Sequence, residues 1–218
     1  ATHTAPITGF GYIAPTIPDF EDFEAFVVGQ QVACQDPINW TTWSNLPCNA
    51  TEDALISSTF AFSGTKSAKI VQNNDLVRLL NAQTSGKWHI SFMAYIPTGK
   101  AGYFNTLALF VPVSGSIWGF ECYFDAGGGG RLLAGSATAH TFTWAADSWK
   151  KVDVIIDLAA DSAEFWYDNT MVYGWQWTLG SGGAGCPLQI DANDFFGATV
   201  NDEMYIDDYN IVQMTSSN

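Results

Sequence analysis

Apolar positions recur every second residue along much of this chain, most plainly between Trp149 and Leu179 (WKKVDVIIDLAADSAEFWYDNTMVYGWQWTL). Val152, Val154, Ile156 and Leu158 share one parity, and Asp153 and Asp157 occupy the other. Successive side chains of a strand point to opposite faces, so this run predicts a strand with one buried and one wet side. Ala159–Ala163 is a turn, and Glu164–Asp168 returns with Phe165 and Tyr167 opposed to Glu164, Trp166 and Asp168. Asp168-Asn169 favours the left-handed backbone of a tight turn, and Met171–Leu179 is read as a third strand. The helical period is missing, and β-branched and aromatic residues dominate.

The same reading extends along the chain. Leu55–Phe62 and Ser67–Val71 are predicted strands split by a Ser63-Gly64 turn, followed by Leu76–Asn81 and a Thr84-Ser85-Gly86 turn. Trp88–Ile96 alternates with Ile90, Phe92, Ala94 and Ile96 on one face, and Pro97-Thr98-Gly99 ends it. Gly102–Val111 and Ser116–Asp125 form the next pair, the latter with Trp118, Phe120, Cys122 and Phe124 on one parity. Arg131–Leu133 and His140–Trp144 are shorter strands, and Asp191–Phe195 is read as a single helical turn. Gly127–Gly130 and Gly180–Gly185 are glycine-rich loops, and the first lacks the lysine and following helix of a phosphate loop. About a dozen short antiparallel strands predict an all-β fold, a two-sheet antiparallel β-sandwich of jelly-roll type.

W-x-x-V-x-V-x-x-D at Trp149–Asp157, followed after a turn by E-F-W-Y-D-N-T-M-V at Glu164–Val172, resembles the paired strands of concanavalin A-like lectin and laminin-G-type sandwiches. Phe23–Gly29 (FEAFVVG), Phe62–Ile70 (FSGTKSAKI) and Met204–Val212 (MYIDDYNIV) resemble further parts of such domains and of carbohydrate-binding-module jelly rolls. In order these are the first strand, the S-G-x-x-S entry to an early strand, and the closing strand. The resemblance spans residues 20–213 and implies a concanavalin A-like fold of secreted proteins, a fold that hosts many activities. It also implies one structural Ca²⁺ between Glu24 and Asp207 or Asp208, near the Gly64–Ser67 turn, with backbone carbonyls completing the oxygen shell.

Ala1–Asp19 differs from the rest of the chain, with three Pro and with Ile7, Phe10, Tyr12, Ile13 and Ile17 at no helical spacing. Such a segment is an extended arm, too apolar for a typical disordered tail. It is read either as lying over its own domain, the commoner case, or as adding a strand to a neighbouring subunit. No Pro/Ser-rich linker divides the remainder, so residues 20–218 are read as one jelly-roll domain. The chain carries 22 Asp and Glu against 8 Lys and Arg, a net charge of −14. That balance argues against nucleic acid and anionic membrane surfaces as partners, and no apolar run reaches spanning length. A start at Ala1 rather than Met is expected of a secreted protein whose signal peptide has been removed.

Cysteine usage agrees with export. Cys34 and Cys48 bracket QDPINWTTWSNLP, a loop with two Pro and no strand pattern. A bridge closing a loop of about 15 residues contributes on the order of 3 kcal/mol. Cys122 and Cys186 either pair or stay free as small buried hydrophobes. No Cys/His spacing suggests zinc.

Enzymatic chemistry has little to rest on. Laminarinase-type hydrolases of this architecture carry an E-x-D-x-x-E strand whose carboxylates stand at the short separation of a retaining mechanism. No such strand occurs here, and Glu21-Asp22-Phe23-Glu24 does not alternate properly. His3, His89 and His140 are scattered, with His89 read as structural, and cations are too few for a lyase acting on uronates. Glu121, Tyr123 and Asp125 share the face opposite the core parity, either an ordinary wet face or an acidic and aromatic sugar-binding one. Aromatic rings stack on pyranose faces while carboxylates and amides bond the hydroxyls. Of nine Trp, Trp88, Trp118 and Trp149 fit core parity. Trp40, Trp43, Trp166, Trp175 and Trp177 are candidates for exposed platforms, two or three of them expected at the surface.

The sequence therefore reads as a secreted, extracellular or cell-surface, non-catalytic carbohydrate-binding protein whose partner is a polysaccharide or cell-surface glycan. The alternative is a structural or adhesive subunit of an extracellular filament or assembly, self-associating through residues 1–19. A glycoside hydrolase or polysaccharide lyase ranks last.

Overall fold

The alternating runs pair into two sheets in the computed structural model, which describes residues 17, 19–183 and 185–214. Expectations for Ala1–Asp19 thus lie outside the described residues except at Ile17 and Asp19. The elements are β1 (Asp19–Glu21), α1 (Val32–Gln35), β2 (Trp40–Thr42), β3 (Leu55–Ser57), β4 (Ser67–Val71), β5 (Asp75–Gln83), β6 (Lys87–Tyr95) and β7 (Gly102–Leu109). They continue as β8 (Ile117–Asp125), β9 (Gly129–Leu133), β10 (His140–Thr143), β11 (Lys150–Asp157), β12 (Ser162–Tyr167), β13 (Thr170–Trp175), β14 (Ile190–Phe196) and β15 (Glu203–Met214). Sheet A has the order β13-β12-β11-β6-β15-β4-β3, with β1 also on β15, and sheet B the order β10-β9-β8-β7-β14-β5-β2. Paired strands run antiparallel, so the fold is a two-sheet antiparallel β-sandwich.

The core lies between the sheets and is largely aromatic. Phe92 of sheet A meets Phe104 and Phe195 of sheet B edge-on, at centroid distances of 4.9 and 5.2 Å. Val152, Val154 and Ile156 are buried as their parity predicts, and Phe165 and Tyr167 face inward from β12. Each such side chain contributes about 1.5–3 kcal/mol on burial. Among these apolar groups sits one cation. Arg78 of β5 is fully buried, and its guanidinium donates to Asp19 of β1 and to the carbonyls of Asn39 and Leu79. It also lies 5.7 Å from the Trp40 ring and 5.9 Å from that of Tyr209. Ile17 also packs on the core, so the entry of the chain into sheet A is fastened by one ion pair and one apolar contact.

Several expectations need correction. Asp191–Phe195 is part of strand β14 rather than a helical turn, because β5 and β7 flank it and fix its backbone from both sides. Phe23–Gly29 is a series of turns, with Phe23 at φ 58°, and the first strand is β1. The strand expected at Leu55–Phe62 stops at Ser57, and that expected at Met171–Leu179 stops at Trp175 before a 3₁₀ turn at Trp177–Leu179. The loop between Cys34 and Cys48 holds the end of α1 and all of β2. The Cys34–Cys48 bridge forms as expected, while Cys122 and Cys186 are free and buried. Among the described residues no helix is long and apolar enough to cross a membrane.

Candidate glycan-binding face

The outer face of sheet B follows from the inner one by alternation. Phe104, Phe120, Phe124 and Phe195 point into the core, so Tyr103 and Asn105 of β7, Glu121 and Tyr123 of β8, and Asp194 and Phe196 of β14 point the other way. Register places Asp194, Asn105 and Glu121 in one row across three strands, with Tyr103 opposite Tyr123 beside it. Both tyrosine hydroxyls donate to Glu121 Oε1, at 3.1 Å from Tyr103 and 2.9 Å from Tyr123. Asn105 Nδ2 donates to the Tyr103 hydroxyl at 3.1 Å and to Asp194 Oδ2 at 2.6 Å. The Tyr103 ring lies 4.8 Å from that of Tyr123 and 6.2 Å from that of Phe196. Arg131 of β9 covers Tyr123 at 4.3 Å and forms a two-pronged ion pair with Asp125.

Asp75 of β5 adjoins Asp194 on the same face. Burial pushes both carboxyls up, and Asp75 is raised further by the charge of Asp194. Two carboxylates in contact cannot both ionise cheaply, so the pair shares one proton at neutral pH. Their Oδ1 atoms are buried and accept no other donor of the fold.

The opposite end of the face is apolar. Trp43 stacks on Trp118 at 5.9 Å and meets Phe110 at 5.8 Å, above Val77, Leu107 and Ala192. Trp118 reaches this face through a bulge, since Leu107 pairs with Trp118 while Thr106 pairs with Phe120. The extra residue is Gly119, which faces inward, where a Cβ would run into the Trp177 ring. Only glycine admits Trp177 there, and the bulge reverses the parity of Trp118. Trp43 is positioned by the bridged loop, which Asp53 clamps by accepting the amides of Ala33, Cys34 and Cys48.

The structure divides the expected sugar-binding residues into three groups. Trp43, Glu121 and Tyr123 stand on the outer face of sheet B. Trp166 stands on the outer face of sheet A, half-buried, with Nε1 on Glu164 at 3.0 Å. Trp40, Trp175 and Trp177 are buried and offer no platform. Trp40 pairs with Arg78 across β2 and β5 and packs on Phe195 and Tyr209. Trp175 packs edge-on against Phe120, and Trp177 Nε1 donates to the carbonyls of Pro187 and Gln189. Trp118 and Trp149, expected inside, are both half-buried on outer faces, Trp149 beside Phe62 and Tyr95. Tyr103, Asn105, Asp75, Asp194 and Phe196 were absent from the expected set. Reading Asp191–Phe195 as a strand would have placed Asp194 and Phe196 on one face.

His89 is half-buried and hydrogen-bonded to Asp153 at 2.6 Å. Glu24 and Asp207 do meet the same turn, but each meets it through N–H donors. Glu24 accepts the amides of Thr65 and Lys66 at 2.7 Å, and Asp207 those of Phe62 at 2.7 Å and Ser63 at 3.2 Å. Asp208 accepts the Ser63 hydroxyl at 2.6 Å. The Lys66 ammonium binds the carbonyls of Glu24 and Phe26 at 2.7 Å each, the kind of oxygen a calcium shell would use. These residues do not fit the ion in this arrangement.

No family model and no curated protein matches this chain. Among solved structures it is similar to a sialidase at 13% identity and TM-score 0.59, covering 92% of this chain and 19% of that one. It is similar to the Trypanosoma rangeli sialidase in complex with the inhibitor DANA at 14% identity and TM-score 0.51, covering 82% of this chain and 31% of that one. A carbohydrate esterase from the Shiga toxin-encoding bacteriophage phi24B matches at 10% identity and TM-score 0.51, covering 84% and 97%. The chain thus spans 19% and 31% of the two sialidases. At these identities the likeness is one of fold alone, a β-sandwich architecture shared with proteins named for glycan chemistry.

Proposed function

We propose that this is a secreted, non-catalytic carbohydrate-binding β-sandwich of concanavalin A-like jelly-roll type, whose ligand lies across the outer face of sheet B. The observation that carries the reading is the Tyr103–Glu121–Tyr123 cluster, two rings and a carboxylate held in fixed orientation by mutual hydrogen bonds. Arg131 takes one face of Tyr123, so the open parts of the two rings supply the stacking surface for pyranoses, and the carboxylate accepts sugar hydroxyls without first being reoriented. The Trp43–Trp118 shelf supplies a second apolar surface on the same face. Apart from Arg131, which Asp125 already holds, the charged groups of the strip are acidic. A neutral polysaccharide therefore suits it better than a polyuronate or sulfated chain.

A hydrolase reading has one observation in its favour, the placement of Asp194 and Glu121 in one row with Asn105 between them. Against it, Asp194 is 3% exposed and Asn105 fully buried, so that carboxyl does not reach a glycosidic oxygen in this conformation. The test is retention on a panel of immobilised neutral and acidic polysaccharides. Wild type should be held by a neutral member, Tyr123→Ala should lose most of that retention, and Trp166→Ala should keep it. Equal loss in both variants, or retention only by acidic chains, contradicts the placement.

A further inference from the structure

Each sheet of the sandwich ends in two strands, and the two ends are treated differently. The free side of β3 is bonded by the backbone of residues 29–31, with Gly29 N on Ile56 O at 2.8 Å and Ile56 N on Gln30 O at 2.9 Å. β2, at the end of sheet B, is buried throughout and packs against α1. At the other end, β13 (TMVYGW) and β10 (HTFT) terminate sheets A and B with neither a charge nor a proline. Those are the usual means by which an edge is kept from pairing with another chain. His140 stacks on Tyr173 at 3.5 Å and closes part of the gap between the two edges. Beside that stack lies a groove of about 540 Å³ lined by Phe142, Trp144, Tyr167, Met171 and Val172, with the Lys150–Asp168 ion pair at its side.

The chain carries a segment that suits such a groove. Ile7–Ala14 (ITGFGYIA) is eight residues long, uncharged, and bracketed by Pro6 and Pro15, so that every residue within it keeps its amide N–H. In extended form Phe10, Tyr12 and Ala14 fall on one side and Ile7 and Ile13 on the other. We propose that residues 7–14 of one copy lie in extended form along β13, in the groove between β10 and β13 of a second copy, and so join copies head to tail.

Length decides between a neighbour's groove and the chain's own. Ile17 is packed on the core, so Ala14 lies at most about 11 Å from it, at about 3.6 Å per residue. β1 and β13 are five strand positions apart, by way of β15, β6, β11 and β12. At about 4.8 Å per step that is about 24 Å across the sheet. The chain also enters β1 from the wrong side. Asp19 pairs with Ile211 and Glu21 with Tyr209, so the preceding residues run toward the Met214 end, away from the Lys150–Asp168 end where the groove lies. The C-terminal half of the segment therefore falls short of its own groove, and a second copy imposes no such limit. Donor segment and acceptor groove are different surfaces at different places on the molecule, which makes the contact heterologous and the product an open chain. Backbone pairing on β13 and apolar side chains in the groove are the usual terms of strand addition.

The experiment uses the full chain, with size measured by sedimentation velocity over a range of concentrations. Wild type should form a ladder of oligomers, favoured by salt because each copy carries a net charge of −14. Phe10→Asp with Tyr12→Asp removes the donor, and Met171→Asp, at a position 46% exposed, removes the acceptor. Each variant alone should be monomeric with an unchanged circular dichroism spectrum. Mixed in equal amounts they should give a one-to-one dimer, since one still offers a groove and the other a segment. A monomeric wild type, oligomers that persist in either variant, or a mixture that stays monomeric would each overturn the proposal. In a wild type that stays monomeric at every concentration, β13 amide protection that Phe10→Asp/Tyr12→Asp abolishes would identify the chain's own arm as the occupant instead.

Discussion

Replacing Asp19 by Ala leaves the Arg78 guanidinium buried without its carboxylate. Removing one partner of a fully buried pair costs about 3–5 kcal/mol. Asp19 keeps 21% of its side-chain exposure, and Arg78 retains the carbonyls of Asn39 and Leu79 and the faces of two rings. Those features place the loss at the lower end, about 3 kcal/mol. Unfolding entropy of about 2.1 cal/mol/K per residue makes this a fall in melting temperature of about 6–7 °C for a chain of this size. Calorimetry at pH 7 reads it directly. Arg78→Met in the same chain should recover most of the loss, because an apolar side chain of similar length suits the site between Trp40 and Tyr209. A fall below 2 °C for Asp19→Ala, or a double variant no better than the single, would refute the assignment of this pair as the lock on β1.

Three further outcomes are expected from the same geometry. The folded state holds the proton of the Asp75–Asp194 pair above pH 4, where the unfolded chain releases it, so stability from this pair is greatest in acid and declines as pH rises through neutrality. Asp75→Asn should flatten the melting temperature between about pH 5 and 9, and an unchanged slope would speak against the shared proton. Gly119→Ala should destabilise by about 1–3 kcal/mol through the contact with Trp177, and a neutral effect would mean that the bulge is not fixed by that ring. Lys66→Met should lower the melting temperature while a chelator leaves the wild type unchanged; a chelator effect abolished by Asp207→Asn would restore calcium to that joint.

Strand existence was legible wherever polar and apolar residues alternate, as in Val152–Leu158 with Asp153 and Asp157 opposed, although Asp153 is itself buried. It failed where strands are short or carry polar residues on both faces. β14 carries Asp191, Asn193 and Asp194 among apolar neighbours, and no periodicity identifies a central strand whose polar groups are satisfied by other strands. Tyr209, for instance, donates to Asn193 at 2.6 Å within the core. Parity also fails across a bulge, which is why Trp118 was assigned to the wrong face: the bulge at Gly119 is set by Trp177, distant in sequence. Isolated tryptophans had no parity to follow. Trp40 is buried because Arg78 and Tyr209 surround it, contacts that no local pattern announces. Glu121 and Tyr123 were found because they alternate with Phe120, Cys122 and Phe124, and their partners Tyr103, Asn105 and Asp194 became visible only with the register of three strands.

The central claim is that a glycan lies on the outer face of sheet B. Amide hydrogen exchange of the full chain, with and without a retained neutral oligosaccharide, tests it most directly. Binding there should slow exchange in β7, β8 and β14 and in the loop carrying Trp43, with little change in β6, β11 and β12. Protection centred on Trp166 and the outer face of sheet A, or no change with any oligosaccharide of the panel, would contradict it.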